Sequence, residues 1–125
     1  MSVQATIGQF EQLVLTAILS LSDAAYGVTI RERVGELAAP KNVSLGAVYA
    51  TLDRLEDKKL IESWLSDPTP ERGGRSKRHY RLLTAGERAL HESVLTSRRV
   101  CETVEGFWGP VADRSRRRWK PVGQH

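Results

Sequence analysis

Two clusters of cationic side chains are the best-equipped chemical groups in this chain of 125 residues. Residues 71–81 carry Arg72, Arg75, Lys77, Arg78 and Arg81 against Glu71. Residues 113–120 carry Arg114, Arg116, Arg117, Arg118 and Lys120 against Asp113. Each cluster is net +4 and the whole chain is also +4, so everything else is net −4. Positive charge gathered on a mildly acidic body attracts polyanions more than the same charge spread evenly. Gly73 and Gly74 lie inside the first cluster, where they let the backbone turn and approach a phosphate. The implied chemistry is hydrogen bonding to phosphate oxygens, which supplies affinity and register but little sequence information. Taken alone, either cluster also fits a solvated surface.

The other reactive side chains do not assemble into a catalytic or metal-binding pattern. His79, His91 and His125 are scattered, and Cys101 has no partner nearby in sequence. No spacing resembles a zinc site, and no glycine-rich loop opens a helix as phosphate-binding enzymes require. Asp53, Glu56 and Asp57 read as surface charges rather than as an acid–base pair. No enzyme activity, metal or cofactor is expected. The single cysteine excludes an internal disulfide framework and fits a reducing cytoplasm. The longest near-apolar run, Leu13 to Leu21, is too short to span a bilayer, and no basic flank precedes an apolar region as in a signal peptide. A cytoplasmic protein with no membrane partner is the expectation.

The first cluster needs elements to hold it, and the hydropathy pattern supplies them. Phe10, Leu13, Val14, Ala17, Ile18 and Leu21 recur at helical spacing, predicting a first helix from about Ile7 to Leu21. Ser22 to Ala25 breaks it. Tyr26, Ile30, Val34 and Leu37 predict a second helix with no clear N-cap, stopped by Pro40. Ser44 is a good N-cap for a third. Its apolar stripe is Leu45, Val48, Leu52 and Leu55, and its opposite face carries Ala47, Ala50, Thr51 and Arg54. Gly46 in its first turn costs about 1 kcal/mol relative to alanine. Close approach of another molecule to the backbone explains that glycine, and so does a packing need within the chain. Leu60 to Leu65 and Lys77 to Leu83 read as two strands joined by a long Pro- and Gly-broken tip. Tyr80 and Leu82 share one face of the second strand.

Thr84 followed by Glu87 matches a capping box, which opens a fourth helix to about Glu105. Leu90, Val94, Ser97, Cys101, Val104 and Trp108 are spaced as an a/d heptad seam with one polar interruption. The helix is longer than the small body ahead of it needs. The seam fits contact with a second copy of the chain, or packing back on the first helix. The Pro-, Gly- and Arg-rich tail from Gly109 fits disorder. The organisation predicted is a body over residues 1–83, a dimerisation helix over 84–108 and a basic tail over 109–125.

Helix, helix, helix, strand, basic turn, strand, helix is the order of a winged helix-turn-helix: mainly α, with one small β-hairpin. In that plan the third helix lies in the major groove of DNA. Ser44, Ala47, Tyr49, Ala50 and Arg54 would face the duplex, with small residues at 47 and 50 letting the helix sit deep. An alanine can touch a thymine methyl. Tyr49 borders the buried stripe, so its hydroxyl either reaches a phosphate or packs half-buried. Arg72, Arg75, Lys77 and Arg78 would grip phosphate from the hairpin. A protein-interaction module that never touches nucleic acid, and a polyanion binder driven by the tail, are the rival readings.

Three segments carry a family resemblance: Ala25-Tyr26-Gly27-Val28-Thr29-Ile30, Val43 to Glu56 with its Gly46 and Tyr49, and Gly73 to Leu82. Together they resemble the PadR family of bacterial transcription regulators, from about Phe10 to Arg88. Leu83-Thr84 departs from the Thr-Pro pair common before the last helix of that family. The resemblance implies a homodimeric repressor that binds a palindromic operator in double-stranded DNA and dimerises through its C-terminal helix. Some members respond to flat aromatic compounds at the dimer interface. By that resemblance Phe107 or Trp108 would line such a cavity, unless they only finish the dimer seam.

Overall fold

The computed structural model describes residues 6–66 and 76–111. Its elements are α1 (Gln9–Leu21), α2 (Gly27–Ala38), α3 (Leu45–Asp57), β1 (Ile61–Leu65), β2 (Arg78–Leu82) and α4 (Thr84–Trp108), with a 3-10 turn at Ser22–Ala24. The architecture is mostly helical with one antiparallel hairpin, the winged helix-turn-helix read from the sequence. The chain divides after Ser93 into two compact units.

The body has a core of Val14, Leu15, Ile18, Ile30, Val34, Val48, Leu52, Leu55, Leu60, Ile61 and Tyr80, all but closed to solvent. Leu37, expected on the apolar stripe of α2, is instead exposed. Local chemistry starts each helix. The Glu11 carboxylate reaches back to the Gly8 N–H at 2.9 Å and opens α1. Thr29 explains the missing cap of α2, because its hydroxyl oxygen accepts from the Tyr26 N–H at 3.0 Å. Ser44 caps α3, accepting from the Ala47 N–H at 3.1 Å.

The C-terminus of α3 is a Schellman motif. Lys59 adopts a left-handed φ of 61°. Its N–H donates to the Glu56 carbonyl at 2.9 Å, and the Leu60 N–H donates to the Leu55 carbonyl at 3.0 Å. The chain thereby reverses directly into β1.

In the hairpin, Ile61 faces Leu82, Ser63 faces Tyr80 and Trp64 faces His79. Alternation puts Ile61 and Tyr80 in the core and Trp64, His79 and Arg81 on the opposite face. A further segment joins this sheet unannounced by the sequence. Tyr26 forms an antiparallel bridge with His79, and the Tyr80 N–H donates to the Ala25 carbonyl at 3.0 Å. The break between α1 and α2 thus anchors the hairpin.

The first turns of α4 belong to the body. The Leu83 carbonyl accepts the first helical bond, from Glu87 N–H at 3.0 Å, so Thr84 lies inside the helix rather than capping it. Gly86 packs so closely on the residue before β1 that a Cβ there would stand 2.0 Å from the Leu60 carbonyl oxygen. Leu90, expected in the dimer seam, is buried in the body core at 6 % exposure. It completes the chain's own core because the first turns of α4 pack beside Leu60. Residues 94–111 form the described part of the second unit. There Val94, Val100, Phe107 and Trp108 are exposed, while Cys101 and Val104 are half-buried. Among the described residues, no helix is long and apolar enough to cross a membrane.

Candidate nucleic-acid interface

Helix α3 buries Val48, Thr51, Leu52 and Leu55. Two residues exchange places with expectation. Leu45, assigned to the buried stripe, is 37 % exposed, and Thr51, assigned to the open face, is 1 % exposed. Leu45 is the first helical residue and points past the end of the core. Thr51 sits one turn before Leu55, and its methyl and hydroxyl fill the space beneath Arg54.

The open face runs through Gly46, Ala47, Ala50 and Asp53, all exposed. A Cβ at Gly46 would meet nothing within 4 Å, so no packing need within the described chain explains this glycine. Tyr49 is 43 % exposed but not free to swing. Its ring lies over the start of α2, where a Cβ on Gly27 would come 2.1 Å from the phenol oxygen. The Tyr26-Gly27 pair at a helix start was the sequence signal for this contact, unread because its partner lies 22 residues away. Arg54 is exposed, yet its Nη2 donates to Thr51 Oγ1 at 3.0 Å, laying the guanidinium along the helix.

Arg72 and Arg75, with Gly73 and Gly74, lie outside the described residues. Of the hairpin cations that are described, Arg78 is exposed and its Nη1 donates to Ser63 Oγ at 2.9 Å. Lys77 is half-buried, its Nζ 3.9 Å above the Tyr26 ring. Beside it runs an aromatic ladder. His79 meets Tyr26 edge-on at 5.6 Å and stacks on Trp64 at 5.7 Å, and the Arg81 guanidinium lies 5.3 Å over Trp64 while pairing with Glu62. Tyr26, Gly27, Val28, Tyr49, Lys77 and Arg78, with the acidic Glu32, line a groove of about 470 Å³ between the start of α2, α3 and the hairpin base. Helix N–H groups and cations meeting along such a groove suit an anionic backbone.

The far end of α3 is fixed by an ion pair that sequence reading missed. Glu11 is 7 % exposed and holds the Lys58 ammonium at 2.7 Å. Burial by itself raises the Glu11 carboxyl, but Lys58 and the Gly8 N–H outweigh it and hold the group below its ordinary range. A carboxylate 47 residues from its partner leaves no local pattern. Burial and the Glu105 and Glu102 carboxylates push the Cys101 thiol up, which disfavours its thiolate. No cluster of metal-ligating side chains occurs among the described residues.

An exposed small-residue face on α3 beside a hairpin with a cationic base is the architecture of a winged helix-turn-helix protein. Comparison with known proteins makes this specific. The model of the transcriptional regulator PadR-like family matches residues 14–92, more than half of the chain, and the chain belongs to that family. It is a DNA-binding transcription regulator, as its relatives are. It is similar to a PadR family transcription regulator from hypervirulent Clostridium difficile R20291, at 25 % identity and a TM-score of 0.67, covering 82 % of this chain and 100 % of that one. A PadR-like transcriptional regulator from Bacillus cereus is also 25 % identical, with a TM-score of 0.65, covering 81 % of this chain and 92 % of that one. The Aeropyrum pernix ORC1 protein, solved in complex with DNA, is 27 % identical with a TM-score of 0.56, covering 74 % of this chain but 26 % of that one. No protein of curated function matches.

Proposed function

We propose that the chain is a repressor that binds an inverted-repeat operator as a homodimer and occludes a promoter in the cytoplasm. The observation that carries this reading is an open, uncharged first half of α3 whose Tyr49 shares a groove with the hairpin-base cations Lys77 and Arg78. In this reading Ser44, Ala47 and Ala50 enter the major groove, while Arg72, Arg75, Lys77 and Arg78 contact phosphates beside it. Tyr49 joins the phosphate contacts from its seat on Gly27. Arg54 contributes once its guanidinium leaves Thr51.

The dimer forms through residues 84–108. With Leu90 committed to the body, the seam is Val94, Ser97, Cys101, Val104 and Trp108. The exposed apolar side chains of this stretch support the reading, because a solvated helix gains nothing by presenting them. Two copies of α3 then meet half-sites about 34 Å apart or twice that. Phe107 and Trp108, both 84 % exposed, are the rings a flat aromatic effector would meet at that interface. The ORC1 protein, 26 % of which resembles this chain, was solved in complex with DNA.

Selection of bound sequences from a random duplex pool tests the proposal. The expected result is a palindromic consensus, bound about 10³–10⁵-fold more weakly in 200 mM than in 50 mM salt, as for roughly six to ten phosphate contacts. Binding should survive removal of residues 110–125 and should fall when Arg72, Arg75, Lys77 and Arg78 are neutralised. A flat salt response, or loss of binding with the tail alone, refutes it.

A further inference from the structure

We propose that Asp53 is a specificity-determining residue: its carboxylate accepts a hydrogen bond from an exocyclic amino group at the major-groove edge of one base. That amino group belongs to cytosine or adenine. The same carboxylate rejects guanine and thymine, which present only acceptors there. The inference rests on α3 being the groove helix.

At about 3.6 residues per turn, the face opposite Val48, Thr51, Leu52 and Leu55 is centred on Gly46, Ala50, Asp53 and Asp57. All four are exposed. Gly46 and Ala50 carry no side-chain polar atom. Every other polar group near this face is already engaged. Ser44 Oγ accepts from the Ala47 N–H, Arg54 donates to Thr51, and Tyr49 lies on Gly27. Asp53 and Asp57 make no ion pair or hydrogen bond among the described residues.

Position along the helix separates these two. The end of α3 that enters the duplex is the small-residue end. Asp53 lies about 4.5 Å along the axis beyond Ala50, and Asp57 lies about 10.5 Å beyond it, where a helix leaving the groove has lost contact with base edges. A carboxylate on a DNA-facing surface is repelled by phosphates everywhere except where a base offers it a donor. Asp53 is accordingly the carboxylate of this face placed to meet a base edge.

The test is selection from the random duplex pool with the full chain and with its Asp53→Ala, Asp53→Asn and Asp57→Asn variants, each checked for native circular dichroism. The wild-type half-site should hold cytosine or adenine at one strongly selected position. Asp53→Ala should erase that preference alone and lower discrimination there by about 5- to 100-fold, the effect of a single mismatched pair. Asp53→Asn distinguishes the two bases, keeping adenine, which a carboxamide reads, and losing cytosine. Asp57→Asn should leave the consensus unchanged. An Asp53→Ala variant with the wild-type consensus, or with affinity raised equally for all sequences, overturns the assignment. A wild-type chain that enriches no sequence overturns the groove reading, and this assignment with it.

Discussion

Replacing Gly46 with alanine should raise the stability of the protein while lowering its affinity for DNA. A Cβ at this position meets nothing within 4 Å, and the backbone has no left-handed φ that would strain an alanine. Alanine is favoured over glycine in a helix interior by about 1 kcal/mol, and a first-turn position keeps up to that amount. In a body of this size about 1 kcal/mol raises Tm by roughly 4–8 °C. The added methyl instead occupies the open face of α3, next to Ala50. If base edges approach that backbone, it holds the helix off by about the radius of a methyl group. The loss then resembles that of one base contact, about 1–3 kcal/mol or tenfold and more in Kd. Thermal melts followed at 222 nm, with fluorescence anisotropy on the selected duplex at one fixed salt concentration, give both quantities. Higher Tm with unchanged affinity would show that DNA does not approach Gly46. Lower Tm would show that this face is not open in the free protein.

Four further outcomes follow from the same structure. Gly86→Ala should destabilise by about 1–3 kcal/mol in urea titrations, because the Cβ meets the Leu60 carbonyl oxygen at 2.0 Å and backbone cannot yield as a side chain does. Gly27→Ala should also destabilise, but here the obstacle is the Tyr49 side chain, so Tyr49→Ala in the same molecule should restore much of the loss; additive effects in that double-mutant cycle would contradict the contact. Lys59→Gly should stabilise by about 1 kcal/mol, since a φ of 61° is costly for any residue with a Cβ. Acid should weaken the fold through Glu11. Its carboxyl is held low in the folded state, so its contribution is complete above the unfolded value of about 4.3 and is lost as pH falls through the folded value. Tm measured from pH 7 to pH 3 should therefore fall less steeply in Glu11→Gln than in the wild type.

The legible part of this fold was whatever depends on periodicity or on local chemistry. Val14, Ala17 and Ile18 of the α1 stripe, Val48, Leu52 and Leu55 of the α3 stripe, the Ser44 cap and the alternation around Tyr80 each involve residues within a turn or two of one another, and they reappear in the structure. Long-range contact was not legible. The Tyr26–His79 bridge, the Glu11–Lys58 pair and the Gly86–Leu60 approach join segments remote in sequence, and no single-sequence pattern marks them. Leu45 and Thr51 were exchanged for a subtler reason. Periodicity assigns a face from apolar character, whereas the first residue of a helix overhangs its core and a threonine can bury its methyl while its hydroxyl takes an arginine. Leu90 fits a heptad seam and a core equally well by spacing, and only the packing of the first turns of α4 beside Leu60 decides between them.

The charge distribution along α3 supplies an orientation that neither end supplies alone. Residues 44–50 carry no charge, and every charged residue of the helix follows Thr51. The N-terminal half thus presents unopposed N–H groups and small side chains, the arrangement an anionic surface favours. In the second half Asp53, Glu56 and Asp57 outnumber Arg54, the one cation within the helix, so this half is net repelled by phosphates. Lys58, the cation that follows, is withdrawn into its pair with Glu11 and does not neutralise them from the outer face. On the proposed reading of α3 as the groove helix, attraction at one end and repulsion at the other would tilt it N-terminus inward before any base is read. Glu11 would support this tilt by keeping the Lys58 ammonium paired on the body. Glu11→Gln should consequently relax the tilt as well as the acid sensitivity: Lys58 freed from its pair adds a phosphate contact, nonspecific affinity rises, and the salt slope steepens by about one unit. An unchanged salt slope in that variant would mean that Lys58 stays on the body without its partner, and the electrostatic account of the tilt would fail.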